Sequence, residues 1–430
     1  MVGEGATKLA GSVRDTAIAQ VAGSEAVAAH RALLRKEGLC ETCRSCPVVE
    51  ACGGGSLPHR FGAHGFNNPS IYCDELKALF AHAKRRLSQS LNAQAGRDAS
   101  LPPPCDLAEF ELAERSRWAV SSSWEDARAV HAADLQEAVR ILAPQEPRLA
   151  EGLRVLSAAD LLALASRPGV IAWQNVVRSQ SAGRLVHAVD GSPLSADPGY
   201  LLQLLANVEK GERLEVHEED EWLRRPFGEA IEFEQTGVAD KARSVVAEAL
   251  RIVSEWRPEL AKEMRQVCGA VQFVRDPTAH PEKIVSFSDN TVPGALYVSV
   301  GQGAALIDPY DLADSLIHEY RHQKLYLLER THPTVTSADA RVISPWREDL
   351  RPPSGLVHAV FVFVELQRFW EHVLAQGPVR LHNRALNQLA DTRRNLSLAF
   401  KTLETCPLSL TGRELVQVMR LASERELVEG

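Results

Sequence analysis

Residues 311–329, DLADSLIHEYRHQKLYLLE, carry side chains whose types and spacing suit metal chemistry. His318, Glu319, Tyr320, Arg321 and His322 spell HEYRH. On a helix, residues four apart lie one turn above each other, so His318 and His322 can direct imidazole nitrogens at one ion. Glu319 then stands beside that ion, where a carboxylate can take a proton from metal-bound water. The plain alternative is a solvated helix with two chance histidines. Leu312, Leu316 and Leu325 form a helical apolar stripe, which supports the helix the motif needs.

A second cluster lies in CETCRSCPVVEACGGGSLPHRF and the following FNNPSIYCDEL. Five of the eight cysteines, Cys40, Cys43, Cys46, Cys52 and Cys73, fall here. Closely spaced thiolates followed by Pro47 and by Gly53, Gly54 and Gly55 suit a tight loop around a metal centre. Glycine backbone can take left-handed angles there and bring amide N–H groups to sulfur.

The 430 residues leave room for two or three domains and ample core. A hydrophobic share of 45% and a charged share of 24% are those of an ordinary soluble globular chain. A net charge of −8 without a long basic run argues against nucleic acid. No apolar stretch reaches membrane length, and the first thirty or so residues lack a signal-peptide layout, so the expectation is no membrane and a cytoplasmic protein. In that compartment cysteines serve as ligands or buried thiols rather than disulfides.

Along the chain, residues 1–39 predict one or two amphipathic helices, and 78–92 a basic helix. Residues 92–105 are polar and proline-rich, a linker. From 106 to 237 the periodicity is mostly helical, interrupted by a β-like GVIAWQNVV and a hairpin, GRLVHAVDGSPL, turning at Asp190-Gly191. Cys105, His131, His187 and His217 are scattered through this block and read as structural, and HEEDE (His217 to Glu221) as a solvated face. After 238 come an amphipathic helix closing at Pro258 and three strands, GAVQFVRD, KIVSFSDN and GALYVSVG. A strand followed by the HExxH helix is the order of zincin-like folds, whose edge strand can bind an extended peptide. Past the motif, THPTVTSADARVI predicts a loop and ISPWREDLRPP a compact charged segment. GLVHAVFVFVELQRFWEHV then predicts a long apolar helix with His358 and Glu365 on one face. The expected fold is α+β and predominantly helical. A cysteine-rich module (1–91), a linker (92–105) and a helical domain (106–237) precede a zincin-like HExxH domain with a small antiparallel sheet (238–430).

Two resemblances add to this. Residues 43–76 resemble the tail of the iron–sulfur SPASM domain that follows radical S-adenosylmethionine enzymes in peptide-maturing fusions. The shared pattern is carried by Cys43, Cys46, Cys52, His59, Arg60, Asn68, Pro69, Ser70, Tyr72, Cys73 and Asp74. A radical enzyme needs a barrel and a CxxxCxxC loop ahead of this tail. Only residues 1–39 precede it here, so radical chemistry is not expected of this chain alone. Cys43, Cys46, Cys52 and Cys73, with Cys40 as a possible fifth, could carry a [4Fe–4S] cluster, hold zinc, or form a relic docking module.

HEYRHQKL, PWREDLRP and GLVHAVFVFVELQRFW, in that order, resemble the HExxH-domain family of ribosomal-peptide (RiPP) modification proteins, over residues 271–370. The resemblance implies an iron(II) and 2-oxoglutarate-dependent dioxygenase that hydroxylates a side chain, at the β position, of a precursor peptide. A separate radical enzyme is a further implied partner. His318 and His322 then need a third ligand, with His358 first, Glu365 second and Glu329 third. The keto acid needs a cation for its distal carboxylate, with Arg347 and Arg351 ahead of Lys324. The alternative reading of Arg347 and Arg351 is an ion-pair knot with Glu348 and Asp349. Competing functions are a zinc metallopeptidase with Glu319 as general base, and a non-catalytic precursor-binding scaffold.

Overall fold

A computed structural model describes residues 17–46, 48–62, 65–80, 106–206, 214–217, 220–234, 236–275, 284–302, 305–337 and 340–425. The chain forms two compact units, Met1–Gly96 and Arg97–Gly430.

The first unit contains α1 (Ile18–Ala22), α2 (Glu25–Leu33), α3 (Glu41–Arg44), α4 (Val49–Cys52) and α5 (helical residues 73–80). Where one or two helices are expected before residue 39, the described residues form α1 and α2, and residues 1–16 lie outside them. Among the described residues, Leu39, Cys40 and Cys43, with Val49 against them, form a small apolar cluster. So small a core needs polar help. Arg60, 1% exposed, donates to the carbonyls of Leu33, Gly38 and Phe66 at 2.9, 3.2 and 3.3 Å. Gly53, Gly54 and Gly55 take the left-handed angles expected of them, with φ of 56, 80 and 74°. A Cβ on Gly54 would stand 2.7 Å from Leu39 Cδ2. Most of the basic helix expected over 78–92, the linker 92–105 and Cys105 lie outside the described residues.

The second unit opens with α6 (Leu107–Glu111), α7 (Arg117–Leu142), α8 (Pro147–Arg154), α9 (Ala158–Ala165), α10 (Pro168–Ser181) and α11 (Pro198–Ala206). β1 (Glu215–Val216), β2 (Glu232–Phe233), α12 (Thr236–Trp256), α13 (Pro258–Val267), β3 (Ala270–Arg275), β4 (Ser286–Phe287) and β5 (Ala295–Val298) follow. A small β6–β7 pair (Gly301–Gln302, Ala305–Leu306) leads into α14 (Pro309–Glu329). The chain continues through β8 (Val342–Ser344), β9 (Arg347–Arg351), α15 (Pro353–Gln376), α16 (His382–Leu403) and α17 (Leu410–Arg425).

The fold is α+β and predominantly helical, as expected, and its main sheet is β1-β3-β5-β4 with β2 also on β3. That sheet corrects one expectation. β3 runs parallel to β1 and β5, and only β2 and β4 are antiparallel to their neighbours, so the sheet is mixed. Successive residues of a strand face opposite sides. Val271 and Phe273 of β3 and Leu296 and Val298 of β5 join the core that holds α12, α14 and α15. Ala270, Val274, Ala295 and Tyr297 join a second core with α7, α9 and α10. Strands buried on both faces read as continuous apolar runs.

The same alternation removes the expected boundary at 237. The 106–237 segment supplies β1 and β2 to the sheet and α6 and much of α7 to the core around α14, so 106–237 and 238–430 are one unit. GVIAWQNVV is also corrected. It lies in helix α10, started by Pro168 and buried from Pro168 to Gln174 and at Val176 and Val177. A short run buried on all sides has no periodicity to separate helix from strand. The turn at Gly191 (φ 85°) is present, closed by a single His187–Pro193 bridge. Part of HEEDE lies outside the described residues. The segment expected to be a loop followed by a compact charged stretch contains the β8–β9 hairpin. Among the described residues, no helix is long and apolar enough to cross a membrane.

Candidate metal centre

Helix α14 begins where Asp308 accepts a hydrogen bond from the Tyr310 N–H at 3.0 Å, with Pro309 in the first turn. Leu312, Leu316 and Leu325 are fully buried, as their spacing predicted. His318 and His322 stand side by side on this helix, ring centres 5.1 Å apart. A third imidazole joins them from α15. His358 Nδ1 is 3.0 Å from His322 Nδ1, and His358 Nε2 is 2.9 Å from Glu329 Oε2. Thr334 Oγ1 donates to the other Glu329 oxygen, and the Tyr326 ring lies 4.6 Å from His358. The first choice for third ligand is thus at the histidine pair, and the third choice, Glu329, grips it from behind.

Burial dominates the electrostatics. It pushes His318 down to about 4, helped by the Arg347 charge, and His322 well below the usual range, helped by His318 and His358. Neutral imidazole is the form that binds a metal. Glu319 is 1% exposed and is pushed up to about 7 by burial, against hydrogen bonds from Ser286 and Ser288. Ser286 Oγ donates to Glu319 Oε1 at 2.7 Å, while Oε2 is buried without a partner. His318 Nε2 lies 4.0 Å from Glu319 Oε1. Among the described residues, no group of three or more His, Cys, Asp or Glu side chains is gathered tightly enough to hold an ion as it stands. His322 and His358 are turned to each other instead. The donor set nevertheless fits a metal in kind: three clustered imidazoles, two of them held neutral, beside a carboxylate with an orphaned oxygen.

His318, with 27% of its side chain exposed, opens onto a cleft of about 640 Å³. Ser286 and Phe287 of β4, Trp346, Arg347 and Phe363 line its near part. Trp346 stacks on Phe363 with ring centres 4.5 Å apart. Of the two arginines expected to anchor a keto acid, Arg347 is on this wall. Arg351 is engaged by Asp349, with Nε 3.0 Å from Oδ2, so the knot reading holds for Arg351. Lys324 is removed from consideration. It is fully buried on another face of α14, 2.7 Å from Glu263 Oε1. Glu365 is likewise corrected as a metal ligand. Two turns beyond His358, its carboxylate is held by Arg257, Arg321 and Arg368, with the last two at 3.3 Å.

Sequence reasoning had not singled out Ser286, Thr334 or the acid–arginine network behind α14. A strand pattern marks Ser286 only as one residue in KIVSFSDN. Tyr320, Arg321 and Lys324 fall together on another face of α14 at helical spacing, but such a pattern does not tell a buried network from a solvated face.

Farther along the cleft, Asp314 accepts from Trp370 Nε1 at 2.5 Å. Burial pushes this carboxyl up to about 7, Asp311 adding to the effect. A raised acid is neutral in the fold while already ionised in the unfolded chain, so its contribution to stability falls as pH rises between about 4 and 7. Asp314→Asn is therefore expected to match the parent near pH 4 and to be the more stable protein at pH 8. Urea denaturation at both values checks the sign, and an equal difference at both would refute it.

In the first unit Cys43, Cys46, Cys52 and Cys73 line one cavity of about 20 Å³. These are the four cysteines singled out from the sequence. Cys40 is outside that lining but hydrogen-bonds with Cys43, whose thiol is pushed up to about 11 by burial, then by Cys40 and Cys73. All described cysteines are free thiols.

Compared with known proteins, the chain matches no family model, and no curated protein matches it.

Proposed function

We propose that the second unit is a metal-dependent enzyme that modifies a ribosomally made precursor peptide, with iron(II) and 2-oxoglutarate as its cofactors. His318, His322 and His358 would hold the metal, with Glu329 orienting His358 through its second nitrogen. Iron held there, with the keto acid and dioxygen, would supply oxidation of a peptide C–H bond to C–OH, with succinate and carbon dioxide as co-products. Arg347 binds the distal carboxylate of the keto acid, a task suited to a forked guanidinium. The Trp346–Phe363 stack gives the cleft an apolar wall. Strand β4 is the sheet's edge and borders the cleft, so an extended peptide can pair with its backbone. An antiparallel edge strand beside an HExxH helix supports a zincin-like arrangement.

The observation that carries this reading is that Arg347 shares one cleft with His318. A charge-assisted pair is worth about 1.5–3 kcal/mol, so Arg347→Ala is expected to raise the KM for 2-oxoglutarate roughly 10–150-fold. Arg351→Ala should shift it by no more than about twofold. Peptide-uncoupled decarboxylation of labelled 2-oxoglutarate measures both, and equal effects would argue against the assignment.

The partnerless oxygen of Glu319 favours a second reading, a zinc peptidase in which Glu319 takes the proton of the attacking water. Zinc-dependent cleavage lost in Glu319→Gln, with no keto-acid turnover in the parent, would select it. For the first unit, four thiols around one cavity support a [4Fe–4S] or zinc site. That module would also dock a separate radical enzyme acting on the same peptide.

A further inference from the structure

We propose that Arg321, the fourth residue of HEYRH, is a positioning residue that sets His358 beside His322. The metal consequence rests on the function proposed above, while the contacts stand without it. Arg321 is fully buried. Its Nε and Nη2 donate to the Phe361 carbonyl at 3.1 and 3.0 Å. Its Nη1 donates to the Glu111 carbonyl at 2.8 Å, and Nη2 also to Glu111 Oε1 at 3.1 Å. The guanidinium carbon lies 3.6 Å from the centre of the Phe361 ring.

The location of these bonds carries the argument. Arg321 immediately precedes His322 on α14, and Phe361 lies one turn beyond His358 on α15. The polar tie between the helices is thus within a turn of the contact between the imidazoles. Between the other polar ties of these helices, Asp314–Trp370, Arg321–Glu365 and Glu329–His358, the α14–α15 contact is apolar, from residues such as Leu316, Leu325, Val357 and Val360. Apolar faces tolerate small slides, whereas a planar fork with fixed acceptors does not. Glu111 is itself held by Arg368 at 2.7 and 3.0 Å, which anchors the far end of the fork. Lysine keeps the charge but has no second arm, so it cannot bridge Phe361 and Glu111 in the same way.

The test uses the full chain with Arg321→Lys, Arg321→Met, His358→Ala and the Arg321→Lys/His358→Ala pair. In metal-free, ¹⁵N-histidine-labelled protein, the N–H shared by His322 and His358 should give a protected imidazole signal that disappears in every variant. Its survival in Arg321→Lys overturns the proposal, and that variant decides the matter if Arg321→Met fails to fold. With cobalt(II) as probe, Arg321→Lys should weaken binding roughly 10–100-fold and shift the d–d spectrum toward that of His358→Ala. The pair should then bind no more weakly than His358→Ala alone. Additive losses, or a parental spectrum in Arg321→Lys, contradict a role exerted through His358. A parent chain that takes up no cobalt removes the metal reading, and the imidazole signal still decides whether Arg321 sets the contact.

Discussion

Alanine at His318 or at His322 is expected to abolish keto-acid turnover and to lower metal affinity by more than the roughly 10–100-fold typical of losing an outer-shell partner. Each change removes a ligand nitrogen, and neither adjacent carboxylate is an equal substitute, since each already has an oxygen held. Glu319 is engaged by Ser286, and Glu329 by His358 and Thr334. The two variants should differ in folding. His318 reaches the cleft, so its loss leaves packing almost intact. His322 faces His358, and its loss frees that ring's Nδ1 as well. Equilibrium dialysis with cobalt or iron, beside a thermal melt, separates the two effects. Undiminished binding in either variant would remove His318 and His322 from the site.

Glu365→Ala should give the largest loss of stability, about 3–5 kcal/mol, because it strips a buried counter-charge from Arg257, Arg321 and Arg368. Glu365 is fully buried and no solvent can replace it. Glu365→Gln keeps the volume and one acceptor and should cost less. Neither variant is expected to lose stoichiometric metal, since Glu365 is occupied by arginines rather than directed at the histidines. Denaturant titration with metal analysis of the folded fraction checks both parts. Loss of metal without loss of stability would restore Glu365 as a ligand.

The elements that position the site were legible where periodicity and end signals agree. The leucine stripe of α14, the Pro258 stop of α12 and the turn-bounded strands β3 and β5 all carry such signals. The HEYRH spacing marked His318 and His322, and the helix expected around His358 brought the third imidazole. What failed depends on tertiary context. Strand direction leaves no trace in an apolar run, so nothing in the sequence separates the mixed sheet from the antiparallel one expected. Residues seven apart share a face, yet that left His358 at the cluster and Glu365 among arginines two turns away. Glu111 and Arg321 are 210 residues apart, and no local pattern couples them.

The most direct test of the account is the metal content of protein purified without oxygen, measured for the parent and for a His318→Ala/His322→Ala double variant. Iron in the parent should exceed that in the variant by about one ion per chain, while any metal held by the cysteines cancels in the difference. Equal metal in the two proteins would contradict a metal centre on α14.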